Sequence, residues 1–299
     1  MKIVAVVIWF NPNESMAENI HSYSKYVFKT IIIDNSTIDN SMLIEARENI
    51  EYISLNKNFG IAAALNIGYK RAEALESNWV LTMDQDSSFS DFDIKNYLNP
   101  KADHFNELNV AVLGPNFEGP LTNDLIDCNS VISSGALVNL KAHNENFGYN
   151  ESLFIDQVDH EYCCRLKKLG YRVLRVGYIS MTHIVGSPLA KKRLGRMFIS
   201  YNHNAVRRYY ITRNTLYMHR YFGEFGDKYL KLLFMDIVNI ILIEQDKCNK
   251  LKSMLKGCLD YYMGRMGSMD SALSGNLAIQ QLTSCETRWP FKNFEEKKE

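Results

Sequence analysis

Neither sign of charge prevails in this sequence: lysine plus arginine and aspartate plus glutamate number 34 each in 299 residues. That balance excludes a general nucleic-acid binder held by net charge, and no nucleic-acid partner is expected. The six cysteines contain no C-x-x-C pair, which argues against a zinc or thiol redox centre and leaves them as reduced, mostly core residues. Apolar runs long enough to span a bilayer are missing. Ile3 to Phe10 is too short and lacks a small-residue cleavage site, and Leu232 to Ile243 is interrupted by Asp236 and Asn239. The expected location is therefore cytoplasmic. Glycine is absent before Gly60, so the first strand cannot lead into the Gly-rich phosphate loop of a dinucleotide-binding domain. Any bound phosphates need another counterion.

An apolar share of 46% supplies a sizeable core. Short apolar runs at 3–9, 30–34, 52–55, 79–83 and 110–114 alternate with helix-like segments at 17–26, 40–49 and 61–76. That order predicts βαβ units and a mostly parallel, doubly wound α/β sheet, with ligands bound beyond the carboxyl ends of its strands. The residues following those runs are polar: Asn11, then Asp34-Asn35-Ser36, then Asn56-Lys57-Asn58, then Asp84-Gln85-Asp86. Beyond about Gly186 the pattern changes to helices, including His203–Phe222 and Asp227–Asp246, without a linker or an internal repeat. The expected division is 1–186 for the α/β domain, with its acceptor side from about 130, and 187–299 for a mainly helical extension packed on it.

Three constellations carry chemistry. Asp84 and Asp86 are two apart at a strand end, so both reach one hard cation that also binds diphosphate oxygens. Asp156, Asp159 and Glu161 precede a helix-like Cys163–Leu169; they exceed what capping requires, and one of them suits a general base. His183 follows the strand-like Arg172–Ile179, and an imidazole joining two carboxylates suits Mn2+ better than Ca2+. From Tyr162 to Gly223 there is no acid, yet thirteen lysines and arginines fall there. Such a stretch attracts phosphate, of a soluble donor or of a lipid. In the helix Asp227–Ile243, residues Leu230, Leu233, Phe234, Ile237, Ile240 and Ile241 share one face, which either packs on the α/β domain or docks peripherally on an anionic membrane.

These residues, read in order from Val4 to about Tyr221, resemble glycosyltransferase family 2 and within it the bacterial rhamnosyltransferase-like branch. The series runs through Val6–Pro12, Ile33–Ser36, Asn56–Ala62, Asp84–Asp86, Ser133–Ala136, Phe154–Glu161, Thr182-His183 and Arg213-Asn214. The resemblance implies a GT-A, Rossmann-like fold. It gives Asp34 the donor base and ribose, with Phe10 and Asn11 beside it, and makes Asn58, Gly60 and Asn66 the lining of the nucleotide. Asp84 then faces the ribose or diphosphate, and Asp86 and His183 join it as ligands of Mn2+ or Mg2+. Asp159 takes the position of the catalytic base, Glu161 that of its acidic partner, and Ser134-Gly135 that of an acceptor-side turn. Gln85, where relatives carry other polar residues, belongs to the donor side and says little about the sugar.

The implied reaction is a single displacement with inversion. Its implied donor is dTDP-β-L-rhamnose, and its implied acceptor a surface polysaccharide or a lipid-diphosphate-linked glycan. Galactofuranosyl or hexosyl transfer from a UDP-sugar is the alternative. A non-catalytic nucleotide-sugar-binding protein belongs to a different class, and a nucleotidyltransferase is disfavoured by the missing basic glycine loop.

Overall fold

The computed structural model describes residues 1–270 except 46, 106, 118, 184–187 and 194. Strands β1 (Ile3–Trp9), β2 (Lys29–Asp34), β3 (Ile50–Ser54) and β4 (Trp79–Asp84) are parallel and lie in the order β3-β2-β1-β4. All seven residues of β1 are buried, as a parallel strand covered on both faces requires. After β5 (Ser87–Ser88), the sheet continues with β6 (Val110–Asn116), β7 (Leu125–Asp127), β8 (Leu137–Asn139) and β9 (Arg172–Ser180). The order β4-β8-β6-β9-β7 completes eight strands, with β8 and β7 antiparallel to their neighbours. The sheet is thus mostly parallel, as expected.

Alternate residues of β1 enter two cores. Val4 and Val6 join Leu65 and Tyr69 of α2 (Ile61–Ala74, following the short α1, Glu14–Glu18), while Ala5 and Val7 join Ile94 and Tyr97 of α3 (Asp91–Tyr97). Helices α4 (Leu140–Glu145) and α5 (Val158–Lys168) cover the α2 face. The register aligns the strand ends: Trp9 lies opposite Asp34, Ile8 opposite Asp84, and Asp34 opposite Ser54. The polar residues that follow each run therefore collect along one edge, where the strand order reverses between β1 and β4.

Two predicted helices form only in part. Among its described residues the 40–49 segment yields a 3-10 turn, Ser41–Leu43, whose opening amides, Asn40 and Ser41, are held by the Asp34 and Asp39 carboxylates. The 17–26 segment breaks into the end of α1 and two 3-10 turns.

Strand β10 (Thr182–His183) pairs with β5, and the region beyond opens on a hairpin of β11 (Leu189–Arg193) and β12 (Arg196–Ser200) rather than on helix. Gly195, at φ +74°, supplies the left-handed turn residue. The boundary expected after Gly186 lies outside the described residues, as do Cys285 and the chain from 271 onward. The five described cysteines are free.

Helices α6 (Ala205–Phe222), α7 (Glu224–Leu242) and α8 (Lys247–Tyr262) form the C-terminal unit. Tyr217 and Met218 of α6 enter the α2-side core. The six-residue apolar face of α7 divides: Leu230, Leu233, Ile237 and Ile240 pack with Ile211 and Met254, whereas Phe234 and Ile241 stay 65% and 51% exposed. Among the described residues no helix is long and apolar enough to cross a membrane.

Candidate active site

At the end of β4 one ligand atom each from Asp84, Asp86 and His183 lies within 4.8 Å of the others. The two carboxylates arrive together by their i, i+2 spacing. His183 arrives because β10 pairs with β5 in the register His183 opposite Ser87. Its Nδ1 is 2.7 Å from the Ser87 Oγ and 3.5 Å from the Asp86 carboxylate, and Phe117 packs edge-on against the ring. Burial, and then the charges of Asp86 and Asp159, push the Asp84 pKa up to about 7, with Arg207 opposing them. A divalent cation between these residues would relieve that crowding, and two carboxylates with an imidazole suit Mn2+ or Mg2+.

Asp159 stands at the start of α5, half-buried, and the turn at 133–135 ties it to Asp84. The Ser133 amide donates to Asp159 Oδ2 at 3.3 Å, and the Ser134 hydroxyl accepts the Asp84 amide at 3.3 Å. Ser134 and Gly135 are themselves buried. A Cβ on Gly135 would meet Met181 Sδ at 2.5 Å and Pro115 Cγ at 2.7 Å. The turn expected to line the acceptor side links the Asp84 backbone to the Asp159 carboxylate.

The segment before α5 is strained: Phe154, Asp156 and Gln157 all hold positive φ, 67°, 64° and 63°. Non-glycine residues persist there only when their surroundings over-determine them. Here α6 does so. The buried Asn214 Nδ2 lies 2.9, 2.7 and 2.9 Å from the carbonyls of Leu153, Ile155 and Asp156. Arg213 donates to the carbonyls of Ser152 and Leu153 at 3.2 and 3.0 Å. Arg207, in the first turn of α6, donates through Nε and Nη2 to Asp156 Oδ1 at 3.1 and 3.0 Å. The sequence placed Arg213 and Asn214 in the family series without a role and counted Arg207 among the thirteen basic residues of the acid-free stretch without singling it out.

Glu161 does not join Asp159. It is fully buried on the opposite side of α5 in an ion pair with Arg165 at 2.9 Å. Residues two apart on a helix point in nearly opposite directions, so only one of this pair can face the cleft.

On the donor side the expected residues divide into presenters and braces. Phe10 is 46% exposed, and Gln85 clamps its backbone, accepting its amide at 2.8 Å and donating to its carbonyl at 3.2 Å. Asn11, at φ 48°, donates its amide to Ser36 Oγ at 2.7 Å. Asn58 accepts the Gly60 amide and the Asn35 side chain at 2.9 and 3.1 Å. Gly60, at φ +86°, abuts the Phe154 carbonyl, which a Cβ would meet at 2.6 Å.

Two residues expected to contact nucleotide are held by partners within the protein. Asp34 is fully buried, and its carboxylate accepts from the Ser36 amide, both Asn40 nitrogens and the Tyr52 hydroxyl, the last at 2.6 Å. Burial alone would raise its pKa, but these bonds outweigh it and hold the group below the usual carboxylate range. Asn66 spends its amide bridging α2 to Tyr149 and Glu151, at 2.9, 3.0 and 2.8 Å.

The family model described as glycosyl transferase family 2 matches residues 4–157. The chain is 27% identical over 249 residues to the Shigella flexneri protein named dTDP-rhamnosyl transferase RfbF, covering 73% of this chain and 80% of the relative. Residues 1–349 of S. aureus TarS in complex with UDP-GlcNAc share the fold at a TM-score of 0.54 and 15% identity, over 87% of this chain and 80% of that one. GalNAc-T7 with UDP, GalNAc and Mn2+ does so at 0.54 and 12%, over 95% and 57%. The chain spans 43% of a longer S. aureus TarS structure.

Proposed function

The chain belongs to glycosyl transferase family 2, and we propose that it is an inverting, cation-assisted transferase that moves L-rhamnose from dTDP-β-L-rhamnose to a hydroxyl of a surface polysaccharide or lipid-linked glycan. The observation that carries this reading is the convergence of Asp84, Asp86 and His183 beside Asp159 at the strand edge where sheets of this kind bind ligands. When bound, a divalent cation would supply positive charge to the leaving diphosphate. Asp159, oriented by the Ser133 amide, accepts the acceptor's hydroxyl proton on a carboxylate oxygen. The freed oxygen attacks the anomeric carbon from the face opposite the diphosphate; the new C–O bond forms as the bond to the diphosphate breaks, with inversion.

The sugar is proposed from the RfbF relative, which is named as a dTDP-rhamnosyl transferase. Turnover with dTDP-β-L-rhamnose, UDP-galactofuranose and common UDP-hexoses, with the product anomer assigned by NMR, tests it. Transfer from dTDP-rhamnose giving an α-rhamnoside is the expected result, and exclusive use of a UDP-sugar would replace the donor. Donor binding without turnover on any glycan would make the protein a binding module.

The proposal includes peripheral contact with an anionic membrane. Phe234 and Ile241 on α7, with Met197 and Ile199 on the hairpin, are exposed apolar side chains, and the hairpin also exposes Lys192, Arg193 and Arg196. Apolar insertion beside basic charge is the combination that binds anionic headgroups.

A further inference from the structure

The geometry points to Arg207 as a diphosphate-binding residue of the donor site, held in place by Asp156. This deepens the transferase reading and rests on it. The first strand opens on no Gly-rich phosphate loop, so the charge of a nucleoside diphosphate must be met elsewhere. A divalent cation between Asp84 and Asp86 is already matched by their carboxylates, yet the diphosphate's negative charge grows as its bond to the sugar breaks. A second cation is needed where that charge develops.

The acid-free stretch supplies the candidates, and the fold disposes of several. Arg165 is buried against Glu161, Arg172 reaches Glu107, Arg208 is buried between Asp236 and Glu244, and Arg213 is spent on backbone carbonyls. Arg207 differs from all of these. Its side chain is 47% exposed, and its partner Asp156 lies three residues before Asp159, in the segment that the 133–135 turn ties to Asp84. Nε contacts both carboxylate oxygens of Asp156 and Nη2 one of them, so the Nη1 donors of the planar fork, which make no bond to this carboxylate, stay available to a phosphate. Asp156 is mostly buried and carries the strained backbone that Asn214 braces. It is a rigid anchor, so the guanidinium is oriented before any ligand arrives. Asp156 is accordingly a positioning residue, and its occupied carboxylate leaves the base role to Asp159.

Calorimetry on the full chain with Mn2+ tests this by comparing UDP with UMP and dTDP with dTMP. Arg207→Ala is expected to weaken the diphosphates roughly tenfold to a hundredfold, while the monophosphates change by less than about threefold. Arg207→Gln provides the same test at near-constant length if the alanine variant unfolds, and Arg207→Lys should fall between because charge remains without the fork. Asp156→Asn should weaken diphosphate binding less than Arg207→Ala does, and add little in its background. Equal losses for mono- and diphosphates, or unchanged diphosphate affinity, would overturn the assignment. If the unmodified protein binds no nucleoside diphosphate at all, the donor-site reading itself fails and takes the assignment with it.

Discussion

His183 sits across an antiparallel bridge from Ser87, and its Nδ1 lies 2.7 Å from the Ser87 hydroxyl. The bridge brings the imidazole to two carboxylates nearly a hundred residues earlier in the chain and fixes the ring's orientation. Partners that orient a metal-binding histidine commonly change metal affinity tenfold or more. Ser87→Ala is therefore expected to weaken Mn2+ binding by about tenfold, and Asp86→Ala or His183→Ala to abolish most Mn2+-dependent donor binding. Titration of Mn2+ into each variant in the presence of UDP or dTDP checks this, and unchanged metal dependence in both Asp86→Ala and His183→Ala would remove the cation from this position.

Asp159 alone of the three acids near α5 combines partial exposure, proximity to Asp84 and freedom from an ion pair with arginine. Asp159→Asn keeps its size and removes its basicity. Turnover should fall by roughly two or more orders of magnitude, with donor affinity nearly unchanged. Rate and affinity measured on one preparation decide it; normal turnover would transfer the base to another residue.

Asn214 is buried and its one amide nitrogen serves three carbonyls of the strained segment. Asn214→Ala leaves them without that donor and should cost about 2 to 4 kcal/mol of unfolding free energy. Because the segment leads directly into Asp159, the transfer rate should drop more than donor affinity does. Urea unfolding and steady-state kinetics test both halves, and a stable variant with unaltered kinetics would show that α6 does not brace the site.

Membrane contact predicts that the protein sediments with anionic liposomes at low salt and is released as salt screens the basic hairpin. Phe234→Asp and Ile241→Asp should each reduce the bound fraction severalfold without altering the melting temperature, since both side chains point into solvent. Absence of sedimentation, with full activity on lipid-free acceptors, would leave these residues as ordinary surface.

The parallel sheet was legible because strands buried on both faces need continuous apolar runs, and the polar residues following each run marked the edge where ligands bind. The acid pair Asp84 and Asp86 was legible for the same reason: spacing along one strand is a local property. Glu161 was misread because its orientation depends on where α5 begins. With the helix starting at Val158, Asp159 faces the cleft and Glu161 turns to the core. That Asn40 and Tyr52 hold the Asp34 carboxylate was not legible either, because both partners reach it only through the fold.

The sequence by itself determined the sheet and the chemical inventory at its edge, since both follow from hydrophobic period and short-range spacing. Only the tertiary structure decided which members of that inventory act together. His183 reaches Asp86 through the pairing of β10 with β5, and Arg207 reaches Asp156 because α6 folds back on the 152–156 segment. Such encounters depend on long-range pairing and packing, which no local pattern encodes.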